Sequence, residues 1–116
     1  MDKYELNIRI EQIKKQARQK NYAEAAKVAD TIDFYKVKEN KILSLLADVY
    51  EASGKYENAK DILIEAYQRT SLGRQLAYRL VKICIKSGHI DEAEEFYKDF
   101  LEVAPKDNSR YVLQYQ

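Results

Sequence analysis

Apolar side chains recur along this chain at every third or fourth residue, which places them on one face of an α-helix. Apolar and polar residues nowhere alternate as they do in β-strands. The pattern predicts six helices with short breaks between them, over about residues 4–19, 22–34, 39–53, 56–70, 74–87 and 90–104. Residues 35–38 fit a connection, but they could also continue the helix before them.

A period of 34 residues organises these helices. Ala25, Ala59 and Ala93 are evenly spaced at that period, and Gly54 and Gly88 stand five positions before the last two. A fixed period of this length is typical of stacked helical hairpins, each of which buries its apolar face against its neighbours. The fold class is therefore predicted as an all-α array of antiparallel hairpins in one domain, residues 1–116, with repeats at about 4–34, 39–71 and 73–105.

The ends of the helices have residues that suit them. Gly54 and Gly88 can adopt the left-handed backbone conformation that terminates a helix, and Lys20 occupies the equivalent position in the first repeat. Pro105 cannot continue the sixth helix. Residues 107–116 are expected to begin a seventh helix, and because that helix is unfinished we expect the chain to be a fragment of a longer protein.

The second repeat has the residues of a known family at the family's own spacing: Leu43, Leu46, Ala47, Tyr50, Gly54, Tyr56, Ala59, Leu63, Ala66 and Tyr67. It resembles the tetratricopeptide repeat. The third repeat matches at Leu80, Gly88, Ala93, Tyr97 and Pro105 but departs at Val81 and Cys84, and the first repeat matches only in its second helix. The resemblance covers about residues 20–105. It implies a right-handed α-solenoid, a protein-binding scaffold whose first, third and fifth helices line a concave groove.

Charge is sorted by helix. The fifth helix has Arg74, Arg79, Lys82 and Lys86 and no acid, whereas the sixth has six acids against Lys98. With the groove that the resemblance implies, this sorting predicts basic patches in the groove and an acidic outer wall. The residues predicted to contact a bound peptide are Lys14, Arg18, Lys41, Asp48, Tyr78, Arg79, Lys82 and Lys86.

The facing of the first helix is open, since a shift of one residue improves its apolar match. The unshifted facing puts Asn7, Ile10 and Ala17 in the groove beside Lys14 and Arg18. In some members of the family, two lysines, two asparagines and an arginine clamp the C-terminal carboxylate of heat-shock chaperones. The equivalent positions here are Ile10, Lys14, Leu45, Gln75 and Arg79, and because only Arg79 matches we reject that clamp.

We predict that the partner is a protein or peptide with acidic residues and an apolar anchor, which would lie beside Tyr78. The competing interpretation is that these charges form a solvated surface. An alternative function is self-association or a spacer in a larger protein, with a homodimer formed through the C-terminal end. A repeat code that reads RNA is less favoured, because the related pentatricopeptide hairpin has a period of 35 residues and the net charge here is only +1.

No sequence motif points to catalysis, a cofactor or a metal, so we expect the protein not to be an enzyme. Cys84 falls on a buried stripe and is interpreted as a small core residue, and His89 lies in a turn with no partner in the sequence. Ala59 is expected to sit where two helices approach closely. Five tyrosines at framework positions are interpreted as core residues: Tyr22, Tyr50, Tyr56, Tyr67 and Tyr97.

The composition of the chain bears on its cellular compartment. A single cysteine rules out an intrachain disulfide, so a reducing compartment is the default and a cytoplasmic location is expected. The N-terminus is charged and lacks the apolar run of a signal peptide. The chain has no apolar segment long enough to span a bilayer, so we expect no contact with membranes. The net charge of +1 gives no reason to expect contact with nucleic acid.

Overall fold

The computed structural model describes residues 2–69 and 74–103. These residues form helices and no strand, which confirms the all-α prediction. The α-helices are α1 (Lys3–Arg18), α2 (Tyr22–Ala29), α3 (Asn40–Ala52), α4 (Tyr56–Arg69), α5 (Arg74–Lys86) and α6 (Ile90–Val103), with a 3-10 helix at Phe34–Lys36. The predicted break at 71–73, Pro105 and the predicted seventh helix lie outside the described residues. The repeat limits and the handedness of the array stay predictions.

Helix α2 ends at Ala29, so its predicted end at residue 34 is wrong. The Thr31 hydroxyl donates to the Val28 carbonyl at 2.6 Å, and Asp33 accepts from the Tyr35 N–H at 3.1 Å. Short polar side chains of this kind satisfy backbone groups that a helix would otherwise use, and so favour turns. The 3-10 helix then covers residues 35 and 36 of the predicted connection.

The turns between α1 and α2, α3 and α4, and α5 and α6 have the same backbone geometry. Lys20, Gly54 and Gly88 adopt positive φ angles of 61°, 81° and 83°. In each turn the following residue donates its N–H to the carbonyl five positions back at 2.8 Å: Asn21 to Gln16, Lys55 to Tyr50 and His89 to Cys84. This bond is the mark of a Schellman helix end. The turn predicted from the two glycines is therefore also formed by a lysine.

The chain divides into two compact units, Met1–Ile62 and Leu63–Gln116, which we describe separately. In the first unit α2 packs against both α1 and α3. Its core consists of fully or almost fully buried side chains: Ile13, Ala25, Ala26, Ala29, Val37, Leu43, Leu46, Ala47, Val49, Ala59 and Ile62. In the second unit α5 packs against α6. Its core consists of Leu63, Ala66, Ala77, Leu80, Val81, Ile83, Cys84, Ala93 and Phe100.

Burial along α3 and α5 repeats at the period of 34. The buried residues of α3 are Leu43, Leu46, Ala47, Val49 and Tyr50, and those of α5 are Ala77, Leu80, Val81, Ile83 and Cys84. Ala25, Ala59 and Ala93 are also fully or almost fully buried, as expected for residues at close approach.

One expectation about the core is wrong. Of the five framework tyrosines only Tyr50 is buried, and Tyr22, Tyr56, Tyr67 and Tyr97 are half-buried. A tyrosine can bury its ring and keep its hydroxyl at the surface, so helical spacing alone overstates its burial. One charged residue is also enclosed: Lys60 is only 7% exposed, with its Nζ 3.7 Å from Glu57 Oε2.

Candidate functional site

Helix α5 presents the charged face that the sequence predicts. Its buried side faces inward, and on the other side Lys82, Ile85 and Lys86 are exposed, while Tyr78 and Arg79 are half-buried. Ile85 is 45% exposed, which is high for a large aliphatic side chain. The face therefore combines cationic groups with an accessible apolar one.

Tyr78 lies in an aromatic cluster at the edge of this face. Its ring centroid is 5.8 Å from that of Phe100, and the Phe100 ring stacks on Tyr97 with centroids 6.3 Å apart. The Nζ of Lys82 lies 5.4 Å from the centroid of the Tyr78 ring, within the range of a cation–π contact. Tyr78 is thus partly engaged within the hairpin, and its ring lies within cation–π range of Lys82.

The predicted site residues of the first unit lie on α1 and α3. Lys14, Arg18, Lys41 and Asp48 are all exposed, and the Nζ of Lys14 lies 3.7 Å from Glu11 Oε1. Ile10, which the sequence placed in the groove, is instead 6% exposed and belongs to the core, so its predicted facing is wrong. A side chain buried in this way is not open to a ligand.

A carboxylate in the first unit joins two helices, and sequence reasoning missed it. Asp30, just after α2, accepts a hydrogen bond from the Tyr50 hydroxyl at 2.7 Å, and its other oxygen lies 3.8 Å from Lys55 Nζ. Burial, together with the bond to Asp30 and the charge of that carboxylate, raises the pKa of Tyr50 well above its usual value. The contact ties α2 to α3.

A similar contact occurs in the second unit. The Tyr67 hydroxyl donates to Asp99 Oδ2 at 3.0 Å, and the Tyr67 ring meets Phe96 edge to face at 5.6 Å. Burial, the hydrogen bond to Asp99 and nearby negative charge raise the pKa of Tyr67 to about 12. The partners are twenty residues apart in the first Tyr–Asp pair and thirty-two residues apart in the second, so no local sequence motif reveals either contact.

Cys84 and His89, the side chains considered as candidates for catalysis, both contact other parts of the fold. Cys84 is fully buried, which confirms its interpretation as a core residue. His89 begins the turn into α6, with its Nδ1 3.5 Å from Glu92 Oε1. Within residues 2–69 and 74–103, no group of three or more His, Cys, Asp or Glu side chains could hold a metal ion. Over the same residues, no helix has the length and apolar character needed to cross a membrane.

A family model described as tetratricopeptide repeat matches residues 50–113, which is more than half of the chain. The chain belongs to the tetratricopeptide repeat family. Comparisons with curated proteins and with solved structures gave no match. The tetratricopeptide match begins at Tyr50 and does not include the first hairpin, so its place in the array stays a prediction from the 34-residue period of its turn.

Membership in this family indicates a general kind of function. Tetratricopeptide repeats generally mediate protein–protein interactions, and the family is a non-catalytic one. The helices α1, α3 and α5 are the first helices of their hairpins. The predicted site residues of this tetratricopeptide chain all lie on those three helices.

Proposed function

We propose that this chain is an interaction module that binds an acidic protein or peptide segment with an apolar anchor, and that the exposed face of α5 is the main contact. The observation that carries the proposal is the placement of Lys82, whose ammonium group is held against the ring of Tyr78. A cation fixed in this way loses less conformational entropy when it pairs with a carboxylate than a freely moving lysine does.

Ile85 supplies the apolar part of the proposed contact. It lies one turn beyond Lys82 on the same face of α5 and is exposed. Charged groups at the edge of an interface mainly set the orientation and the association rate, whereas a desolvated apolar side chain contributes more to affinity. A ligand with both features would use both parts of this face.

The other predicted contacts extend the proposal to the first unit. Lys14, Arg18 and Lys41 add exposed positive charge on α1 and α3, and Asp48 gives a place for a basic residue of the ligand. The lone buried thiol of Cys84 suits a reducing compartment, and we propose a cytoplasmic location on that ground.

A fluorescence anisotropy titration tests this function. The probe is a fluorescein-labelled peptide in which glutamates flank one phenylalanine, and the full chain is titrated into it. We expect Lys82→Glu to weaken binding by about ten-fold or more, since an attraction becomes a repulsion. The matched control is Lys15→Glu, which makes the same charge change at another exposed lysine, outside the predicted site.

A second variant tests the apolar part. Ile85→Gln keeps the charge of the face. It is expected to lower the affinity for the probe by several-fold, since about 25 cal/mol is lost per Å² of apolar surface no longer buried. Equal affinities for wild type, Lys82→Glu and Ile85→Gln, with helical circular dichroism unchanged, would refute the assignment of the binding face to α5.

A further inference from the structure

Helix α6 turns one continuous face to solvent. Its exposed residues are Ile90, Asp91, Glu94, Glu95, Lys98, Leu101 and Glu102. Ile90 is 51% exposed and Leu101 is 43% exposed. They stand eleven positions apart, which corresponds to three turns, or about 16 Å along the axis. The outward face of α6 is therefore acidic and carries a large apolar side chain near each end.

These are the features that the α5 face is proposed to bind. We propose that the occupant of the α5 face is the outward face of α6 from a second copy of this chain. The inference rests on the proposed function, because it names the partner of the same surface. Charge complementarity carries it: the exposed face of α5 has Lys82 and Lys86 and no acid, whereas the outward face of α6 has four acids and one base.

The spacing of the charges also agrees. Lys82 and Lys86 on α5 are four positions apart, as are Asp91 and Glu95 on α6, so each pair spans about 6 Å. All four side chains are exposed. Ile85 on the α5 face and Ile90 and Leu101 on the α6 face are exposed beside the charges, so an apolar contact can accompany the paired charges.

The two faces differ from one another, which sets the form of the assembly. An isologous dimer needs the same surface on both subunits, whereas a contact between α5 and α6 is heterologous. A dimer joined in this way still presents an α5 face at one end and an α6 face at the other. We therefore expect head-to-tail growth beyond the dimer as the concentration rises. The contact is small and charged, so it is weak and sensitive to salt.

Sedimentation velocity on the full chain tests the proposal. The weight-average sedimentation coefficient is expected to rise continuously with concentration in low salt. The rise should disappear near 1 M salt, where the Debye length falls to about 3 Å from about 10 Å at 0.1 M. A monomer at every concentration in low salt would overturn the proposal.

Two double variants identify the faces. Lys82→Glu with Lys86→Glu reverses α5, and Glu94→Lys with Glu95→Lys reverses α6. Each variant alone is expected to stay monomeric, and a mixture of the two is expected to associate, because each reversed face then meets a complementary one. Controls with the same net charge are Lys15→Glu with Lys38→Glu, and Glu39→Lys with Asp61→Lys, which alter exposed residues elsewhere and should associate as wild type does.

A gain of association gives an independent check that does not depend on disrupting the protein. Lys98 is the one base on the outward face of α6 and opposes the bases of α5. We expect Lys98→Glu to tighten self-association by about two- to five-fold, the range for an exposed charge pair. Weaker association of this variant would contradict the proposal.

The outcomes separate this inference from the proposed function. If the chain is monomeric but the glutamate–phenylalanine probe binds in a Lys82-dependent way, the partner is foreign and only this inference fails. If the chain associates and the α6 reversal leaves association intact, the occupant of α5 is not α6. If neither association nor probe binding depends on Lys82, both proposals fail.

Discussion

The first and third hairpins of this chain reach the same turn with different residues. Lys20 and Gly88 both adopt a positive φ angle, and the next residue in each case closes the helix with a 2.8 Å hydrogen bond. Beyond the turn the two hairpins differ, because α2 has eight residues and α6 has fourteen. The backbone hydrogen bonds of the turn are thus the same in both hairpins, although the residue at the turn and the length of the following helix differ.

The first helices of the hairpins show a second difference. Leu80 and Ile83 on α5 are buried, whereas Gln12 and Lys15 occupy the same positions on α1, 68 residues earlier, and both are exposed. Burial of apolar side chains supplies most of the stabilisation of a helix in a protein. Helix α1 therefore has a narrower buried face, on which only Ile10 and Ile13 are buried.

The largest effect is expected from enlarging the alanines that all three hairpins share. Ala59→Leu should cost about 1–3 kcal/mol of unfolding free energy, since a leucine in a fully packed site forces its neighbours apart. Ala25→Leu and Ala93→Leu test whether the first and third hairpins are packed equally tightly. Urea denaturation followed by circular dichroism measures each change.

A smaller cost for Ala25→Leu than for Ala93→Leu would show that the first hairpin has room to adjust. A melt of Ala59→Leu that matches wild type would remove the assignment of this alanine to a close helix approach. Ala23→Leu is the control, because Ala23 lies on the same helix as Ala25 but is exposed.

The turns should respond to substitution with opposite signs. Lys20→Gly removes the strain of a left-handed conformation, which costs an ordinary residue about 1–2 kcal/mol. Glycine also makes the unfolded chain more flexible, which offsets about 0.5–1 kcal/mol of that gain in stability. The net expectation is a gain of about 0.5–1 kcal/mol. Gly88→Ala should destabilise by about 1 kcal/mol, and only through its φ angle, because nothing lies within 4 Å of an added Cβ.

Thermal and urea melts of the two variants decide between geometry and side-chain contacts. Destabilisation by Lys20→Gly would mean that the lysine side chain contributes more than its strained backbone costs. Lys20→Ala separates the two, since it removes the side chain but keeps the strain.

The two Tyr–Asp contacts, one in each unit, are expected to have effects at neutral pH of about the same size as those of the turns. Tyr50→Phe and Tyr67→Phe should each cost about 0.5–1.5 kcal/mol, the typical net value of a hydrogen bond. The pair tests whether the link between α2 and α3 matters as much as the link between α4 and α6.

These tyrosines also predict an alkaline transition. Both pKa values are raised above the ordinary value of 10.0, so the folded state retains protons that the unfolded state has lost. Their stabilising contribution is complete below pH 10 and is lost as pH rises, for Tyr67 through about pH 12. Stability measured across this range should fall less steeply in the two Phe variants, and identical slopes would contradict the link.

Much of the fold follows from local pattern. The starts of α2, α4 and α6 agree with the sequence prediction to the residue, because turn residues and apolar periodicity are local signals. The end of α2 does not agree, since Thr31 and Asp33 can either continue a helix or bond to their own turn. Local pattern does not decide between those two uses of the same side chains.

The candidate site was predictable in composition but not in arrangement. The sequence alone indicates that α5 has bases, a tyrosine and an isoleucine on one face, and the structure exposes Lys82, Ile85 and Lys86 there. It did not indicate that Tyr78 packs on Phe100 from α6, or that Lys82 lies over the Tyr78 ring. The Tyr78–Phe100 contact joins residues from different helices, and no spacing rule within one helix describes it.

The sequence by itself determined the helical period, the hairpin turns and the sorting of charge between α5 and α6, because each depends on residues near one another in the chain. The tertiary structure alone decided which tyrosines are buried, that Lys60 is enclosed and that Asp30 joins α2 to α3. Those outcomes depend on which helices lie side by side, and a side chain's burial and hydrogen-bond partner are set by its neighbours in space.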